Sequence, residues 1–398
     1  MERALMSLPQ ISLSPDLVRL RKAGYNVEIK SAYLLVRDVP YVNSAKKVCR
    51  GILVSKLDLA GDRTGVPQDH TIMFAGDFPC HADGTPMEML GNPSNTREVL
   101  DKGLEINHRF SRKPSRGHYT DYFEKIETYV SLIAREVSLI EPTVTALTFE
   151  VVEPEDEDYP FSYLDTASAR AEINVISNKL ANDKIAIVGV GGTGSYVLDL
   201  VAKTPVKEIH LFDADKFSTH NAFRAPGAPS VDELREQRLK TRYLGGIYSK
   251  MNRRIKAHET GIDSSNVDAL RDMTFVFLCF DPGPDKKIIV DKLEELSISF
   301  IDVGIGLYRR GDSLGGKLRV TTSLPGRRES ARQNIPLSGG DANDEYDKNI
   351  QIADLNALNA CLAVIKWKKL RGFYLDEERE QLTTYTISFN MLINDDTP

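Results

Sequence analysis

The chain has 398 residues, of which 41% are hydrophobic and 27% charged, with a formal net charge of −6. Those proportions exclude disordered, collagen-like and low-complexity classes, and the charge offers no overall basic field for nucleic acid. Four cysteines (49, 80, 279 and 361) without a CxxC pair argue against a disulfide framework or a paired-cysteine zinc site. No leader-like segment opens the sequence and no apolar run approaches the roughly 20 residues that cross a bilayer, so a cytoplasmic protein without a membrane anchor is expected.

At about 100–200 residues per domain, the length predicts two domains. Residues 1–150 read as an α+β accessory domain. Ser14-Pro15-Asp16 supplies the N-cap and first turn of a short helix that Gly24 ends. Residues 27–29, 33–36, 52–57 and 71–74 have strand composition between turn residues. Tyr119, Tyr122, Phe123, Ile126, Val130, Ile133 and Val137 recur at helical spacing and predict one core-facing helix stripe. Residues 151–165 follow as an exposed acidic linker, with Glu153 and Glu155 to Asp158 too charged to bury a face.

From residue 166 to 398 the pattern becomes α/β. Residues 184–188 form a short apolar strand, followed by a glycine cluster and a helix through Val201, and 208–212 form a second strand. The apolar runs 273–280 and 298–303 suit strands buried on both faces of a largely parallel sheet. A late helix over 354–370 carries Leu355, Leu358, Leu362 and Ile365 at core-facing spacing.

The sharpest local feature is Gly189-Val190-Gly191-Gly192-Thr193-Gly194, between a strand and a helix. Such a turn lets a phosphate approach the backbone, and the helix N-terminus supplies unpaired N–H groups and partial positive charge. Asp213 ends the next strand, where a carboxylate can hold ribose hydroxyls or cap the following turn. Two nucleotide chemistries remain open at this point. An NAD-dependent oxidoreductase commonly needs a proton-transfer residue, and His210, His220 and His258, the histidines of this half, have no evident orienting partner. A scaffold that keeps the nucleotide fold without catalysis is the other alternative.

The residues after Asp213 resemble a known family, the ThiF/MoeB adenylyltransferases, relatives of the ubiquitin-activating enzymes. That family carries a GxGGxG turn, a DxD strand end, an NxxR segment, a lysine on the next helix and an aspartate after a later apolar strand. Here Gly189, Gly191, Gly192 and Gly194 match the turn, and Asp213 with Asp215 match the DxD. Asn221 with Arg224 match NxxR, and Asp281 after TFVFLCF matches the last position. Lys240 in RLKTRYL matches the lysine about three residues late, with Arg238 as a competitor. The segments DTASARAEI, HNAFRAPGA and HTIMFAGDFPC look like bacterial members that carry an extra domain ahead of the ThiF-like one.

The resemblance implies a Rossmann-like fold and MgATP-dependent adenylation of the C-terminal carboxylate of a ubiquitin-like or sulfur-carrier protein, or of a peptide, with release of pyrophosphate. Arg224 and Lys240 would contact the phosphates, Asp213 the ribose, Asn221 would help place the phosphates, and Asp281 would hold Mg²⁺. The expected partner has a Gly-rich C-terminus. Relatives pair as dimers in which an arginine crosses to the other subunit's ATP, so a homodimer is expected, with Arg170 in SARAEI as the crossing residue.

Departures from the family also carry information. No cysteine lies between Cys279 and Cys361, so the thioester cysteine of ubiquitin-activating enzymes has no counterpart there. The polar stretch 327–347 takes the place of a crossover loop above the substrate tail. In the N-terminal half, Cys80 stands between Pro79 and His81 in an expected exposed turn, where a transfer cysteine of a conjugating domain or a packed turn are both open. His70, His81 and Cys80 lack the spacing and the fourth ligand of a zinc site.

Overall fold

The computed structural model describes residues 11, 14–61, 63–91, 97–101, 103–149, 159–163, 165, 173–337 and 350–395. The chain divides into two compact units, 1–157 and 158–398.

In the first unit, helix α1 (Pro15–Ala23) precedes strands β1 (Asn26–Lys30), β2 (Tyr33–Val42), β3 (Val48–Lys56), β4 (Thr71–Ala75) and β5 (His108–Ser111), and helix α2 (Tyr122–Ser138) follows them. The strands form an antiparallel sheet in the order β1-β2-β3-β4-β5. Pro15 starts α1, and Gly24 ends it in the left-handed conformation at φ 108°, donating its N–H to Arg21. Strands β2 and β3 outrun their expected lengths. A bulge between Val36 and Val39, with Asp38 at φ 59°, breaks the alternation that strand reading depends on.

Tyr122, Ile126, Val130, Ile133 and Val137 of α2 are buried as the spacing predicts, Phe123 is only partly buried, and Tyr129, outside the expected stripe, is buried with them. Tyr119 lies before the helix instead, which starts where Asp121 accepts the Glu124 N–H as N-cap. Its ring is still buried, and its hydroxyl donates to the Arg112 carbonyl at 2.6 Å. The other sheet face, at Leu35, Val54 and Met73, is covered by Leu104 and Ile106 of a short hairpin.

The second unit runs β6 (Lys184–Val188), α3 (Gly192–Val201), β7 (Glu208–Phe212), α4 (Lys240–Tyr248), β8 (Ile255–His258), β9 (Phe275–Leu278) and α5 (Pro284–Glu295), among shorter turns. It continues through β10 (Ser299–Arg310), β11 (Ser313–Ser323), α6 (Arg328–Asn334), α7 (Ala353–Leu370), β12 (Leu382–Thr386) and β13 (Met391–Asp395). The sheet order is β8-β7-β6-β9-β10-β11-β12-β13, parallel as far as β10 and antiparallel beyond it. This mixed, Rossmann-like α/β sheet follows an antiparallel-sheet unit, as expected. None of the described helices is long and apolar enough to cross a membrane.

Three expectations need correction. The acidic linker falls largely outside the described residues, at 151–158 and 164, and its described end is not exposed throughout, although Tyr163 is. Phe161 is 5% exposed and pairs by backbone bridge with Asn252 of the second unit. The stretch 327–347 is not a plain loop: α6 occupies 328–334 and Arg332 pairs with Asp291 and Glu294, while 338–349 lie outside the described residues. Helix α7 buries Asn356, Asn359, Ala360, Ala363, Val364 and Trp367, leaving Leu358 and Ile365 exposed. Leu358 and Ile365 of the stripe read from sequence therefore face outward while Leu362 packs against the core, because the inner face also contains amides that a hydrophobicity pattern scores as polar.

Candidate functional site

Strand β6 has β7 on one side and β9 on the other, and the chain after β6 turns first to one side and later to the other. The crevice beyond the carboxyl ends of strands at such a reversal is where open α/β sheets bind ligands. A cavity opens there, lined by the glycine turn, Asp213, Asp215, Arg224, Lys240 and Asp281, together with residues of β10 and α7.

The turn's tightness comes from close backbone approach. A Cβ on Gly194 would stand 1.9 Å from the Gly189 carbonyl oxygen, so no side chain fits. Nothing lies within 4 Å of a Cβ placed on Gly191, which leaves open space in front of the turn. Helix α3 begins at Gly192, and its first-turn N–H groups have no acceptor within the helix. The turn can therefore receive an anion.

Asp213 takes the turn-capping role that the sequence left open. Its Oδ2 accepts the Val190 N–H and its Oδ1 the Asp215 N–H, each at 2.9 Å, so it braces the turns on both sides. It also lines the cavity while only 8% exposed. Lys240 is the first residue of α4, and its backbone N–H donates to the Asp215 carbonyl at 2.8 Å. Its Nζ sits 2.7 Å from Asp215 Oδ2 and 3.5 Å from Asp213 Oδ1. Arg238, the competing cation, is exposed, pairs with Glu236 and does not line the cavity.

Asn221 closes a capping box with Ser218: Asn221 Oδ1 accepts the Ser218 N–H at 3.0 Å. Among the described residues, the buried Asn221 Nδ2 and Arg224 Nε have no hydrogen-bond partner. Buried donors in that state cost free energy unless an acceptor arrives; Arg224 lines the cavity, where a ligand oxygen could meet it, and Asn221 does not. Asp281 is exposed at the cavity rim. Arg170 lies outside the described residues.

Sequence reading missed Val303, Gly304 and Ile305 of β10, and Gln351 and Asn356, all of which line the cavity. The β10 residues carry no charge, and only tertiary structure places them. Asn356 had a signal: two asparagines three residues apart, at 356 and 359, on an otherwise apolar helix.

Other sequence candidates stay apart from this cavity. No histidine lines it. His210 Nε2 stands 2.9 Å from Glu208 and its Nδ1 3.0 Å from His258 Nε2, and the bonds from His210 and then Lys256 hold the Glu208 carboxyl down at about 2. Cys279 does line it, but burial drives its thiol well above the ordinary range. Cys80, expected in an exposed turn, is 2% exposed with its Sγ 3.4 Å from the Phe78 carbonyl. Burial and the charges of Asp77 and Asp83 push its thiol up, the reverse of an activated cysteine. His81 faces Glu136 and His70 faces Ser111, and the described residues contain no group of three metal-binding side chains.

Comparison with family models matches residues 167–391 to the ThiF family and residues 15–166 to a domain of unknown function, DUF6791. Similar solved structures include E. coli MccB with ATP, at 17% identity over 57% of this chain and 71% of that one, with a TM-score of 0.45. The microcin C7 biosynthetic enzyme MccB in complex with N-formylated MccA is 17% identical over 58% of this chain and 70% of that one, with a TM-score of 0.44. PaaA is 16% identical over 56% and 75%, also with a TM-score of 0.44. No curated protein matches the chain in sequence.

Proposed function

Because the chain belongs to the ThiF family over residues 167–391, we propose that its second unit is an ATP-dependent adenylyltransferase acting on a C-terminal carboxylate. The substrate would be a ubiquitin-like or sulfur-carrier protein with a Gly-rich tail, or a peptide. One observation carries this reading. Glycines 189, 191 and 192, Asp213, Asp215, Arg224, Lys240 and Asp281, spread over some ninety residues of sequence, line one cavity.

The reaction suits these side chains. A C-terminal carboxylate, with a pKa near about 3.5, is ionised at neutral pH and needs no general base. It attacks the α-phosphorus of ATP, the bond from that phosphorus to the α,β-bridging oxygen breaks, and the products are the acyl adenylate and pyrophosphate. The barrier lies in bringing two anions together and neutralising charge on the departing pyrophosphate. The glycine turn and the α3 N-terminus would receive phosphate oxygens, with the unpartnered donor of Arg224 beside them. Asp213 would hold the ribose. Lys240, paired with Asp215 in the protein alone, would exchange that 75%-exposed carboxylate for a phosphate.

Asp281 is the side chain that would hold Mg²⁺. An exposed carboxylate on the lining that also holds Asp213 and Asp215 suits a cation that takes carboxylate and phosphate oxygens. The bound ion would supply further neutralisation of the triphosphate. The N-terminal unit would dock the partner, and two chains would pair with Arg170 crossing between sites.

Calorimetry and ATP–pyrophosphate exchange test the reading. MgATP should bind and NAD should not; micromolar NAD binding with none for MgATP overturns it. Asp281→Ala should abolish exchange without altering Trp367 fluorescence. Arg224→Ala should lose about 2–3 kcal/mol of transition-state stabilisation, the scale of one preorganised charged donor.

A further inference from the structure

Helix α7 carries Asn356 and Asn359 on its inner face, both 0% exposed. Burying an amide is unfavourable unless its polar atoms find partners, so the contacts of these two side chains identify what the helix holds. Asn356 Oδ1 accepts from the Thr193 hydroxyl at 2.9 Å, on the first turn of α3. Asn356 Nδ2 points at the Arg224 carbonyl oxygen, 3.5 Å away. Asn359 Nδ2 donates to the Gly304 carbonyl at 3.2 Å, on β10.

The fit at Asn356 is close. A Cβ on Gly192 would stand 2.4 Å from Asn356 Nδ2, so only glycine lets the amide reach across the turn. The other backbone group of Arg224 is tied as well, its N–H donating to the Asn221 carbonyl at 3.0 Å. The Arg224 Nε meanwhile has no hydrogen-bond partner among the described residues. The guanidinium is thus aimed by its backbone, and the side chain that joins this backbone to the glycine turn is Asn356.

We infer that Asn356 is a positioning residue: it sets Arg224 against the glycine turn so that nucleotide phosphates meet both together. This inference rests on the adenylyltransferase reading of the same cavity. An apolar residue at 356 would fill the space but leave the Thr193 hydroxyl and the Arg224 carbonyl unmatched, and the two walls could move independently.

A double-mutant cycle on the full chain separates positioning from general support. The readout is the Kd of MgATP, with Trp367 fluorescence showing that each variant is folded. Asn356→Ala should weaken MgATP roughly tenfold, the scale of one hydrogen bond to a charged group. Combined with Arg224→Ala, the same change should weaken it less than about twofold, because the group it positions is gone. Asn356→Leu, which conserves volume, should behave alike and serves if the alanine variant does not fold. Equal losses with and without Arg224 overturn the inference while leaving the adenylyltransferase reading in place. Wild-type protein that does not bind MgATP overturns both.

Discussion

Lys125 in the first unit and Lys286 in the second are each 1% exposed, yet they are buried in opposite ways. Lys125 Nζ donates to the Ser55 hydroxyl at 2.9 Å and the Asp69 carbonyl at 2.7 Å, with no carboxylate in contact. Desolvation lowers its pKa to about 8. Lys286 Nζ lies 2.7 Å from Asp302 Oδ1, and Arg319 takes Asp302 Oδ2 at 2.6 Å. Around Lys125 the Tyr122, Tyr129 and Tyr119 hydroxyls meet backbone carbonyls of Lys56, His70 and Arg112, while Asp69 and Asp58, the latter 3.2 Å from the Tyr122 hydroxyl, oppose the desolvation only in part. The second unit places ion pairs beside its cavity, at Lys240 as well as Lys286. A neutral cage allows a lysine to lose its proton, whereas a shared carboxylate fixes the charge.

The strongest way to break this contrast is to remove the shared carboxylate. Asp302 is fully buried and is the common partner of two cations. Asp302→Ala leaves both without their counter-charge and should cost about 3–5 kcal/mol, the range for breaking a buried pair. Trp367, the chain's single tryptophan and fully buried in the second unit, reports that loss by fluorescence during urea unfolding. A cost below about 1 kcal/mol would mean that the cluster behaves as an exposed pair.

The contrast sharpens with pH. Lys125 titrates near 8 in the folded chain against an ordinary 10.5. Between those values the unfolded chain binds the proton that the folded one has released, so stability rises with pH. The full effect is about 3 kcal/mol, gained between about pH 8 and 10.5 and absent below pH 8. Tyr122 and Tyr129 work against it, because burial raises their pKa values and costs stability as the unfolded tyrosines ionise near pH 10. The first unit should therefore gain stability from about pH 8 to about 9.5 and then lose it. Lys125→Met should remove the rise and leave the fall. Urea titrations followed by near-ultraviolet circular dichroism of the tyrosines measure both; a rise that persists in Lys125→Met refutes the assignment.

The same contrast explains what the sequence could and could not reveal. Strands 184–188 and 208–212, the glycine turn and the residues matched to it were legible because local composition decides them: apolar runs, a glycine pattern, charges at strand ends. The cavity's other wall was not, because Val303–Ile305 and Asn356 reach it only through long-range packing. Helix α7 shows the failure most plainly, since Asn356 and Asn359 turn its inner face polar while Leu358 and Ile365 stay outside. The charge on Lys125 was invisible for a similar reason. Nothing in EKIETYV says that the ammonium will face a serine hydroxyl and a carbonyl instead of water. Cys80 failed in the other direction: Pro79 and His81 suggest an exposed turn, but the Cys80 backbone bridges both Val42 and Pro86 and seals the thiol in.

The smallest expected effects concern those thiols, and they test whether burial outweighs sequence context in both units. In the first unit, burial with Asp77 and Asp83 raises the Cys80 pKa. In the second, burial and Asp302 raise that of Cys279, with Lys286 opposing. Alkylation proceeds through the thiolate, so both should resist iodoacetamide in the native protein at pH 8. Cys49 and Cys361 are half-buried, as Cys279 is, so it is the raised thiol of Cys279 that should hold it behind them, and all four should react after unfolding in urea. Cys279→Ser should leave pyrophosphate exchange unchanged, because adenylation of a carboxylate calls for no thiol nucleophile. Peptide mapping by mass spectrometry reads the order. Fast native labelling at Cys80 would show a thiol poised for attack, and would reopen a transfer role for the N-terminal unit that its buried, acid-flanked setting argues against.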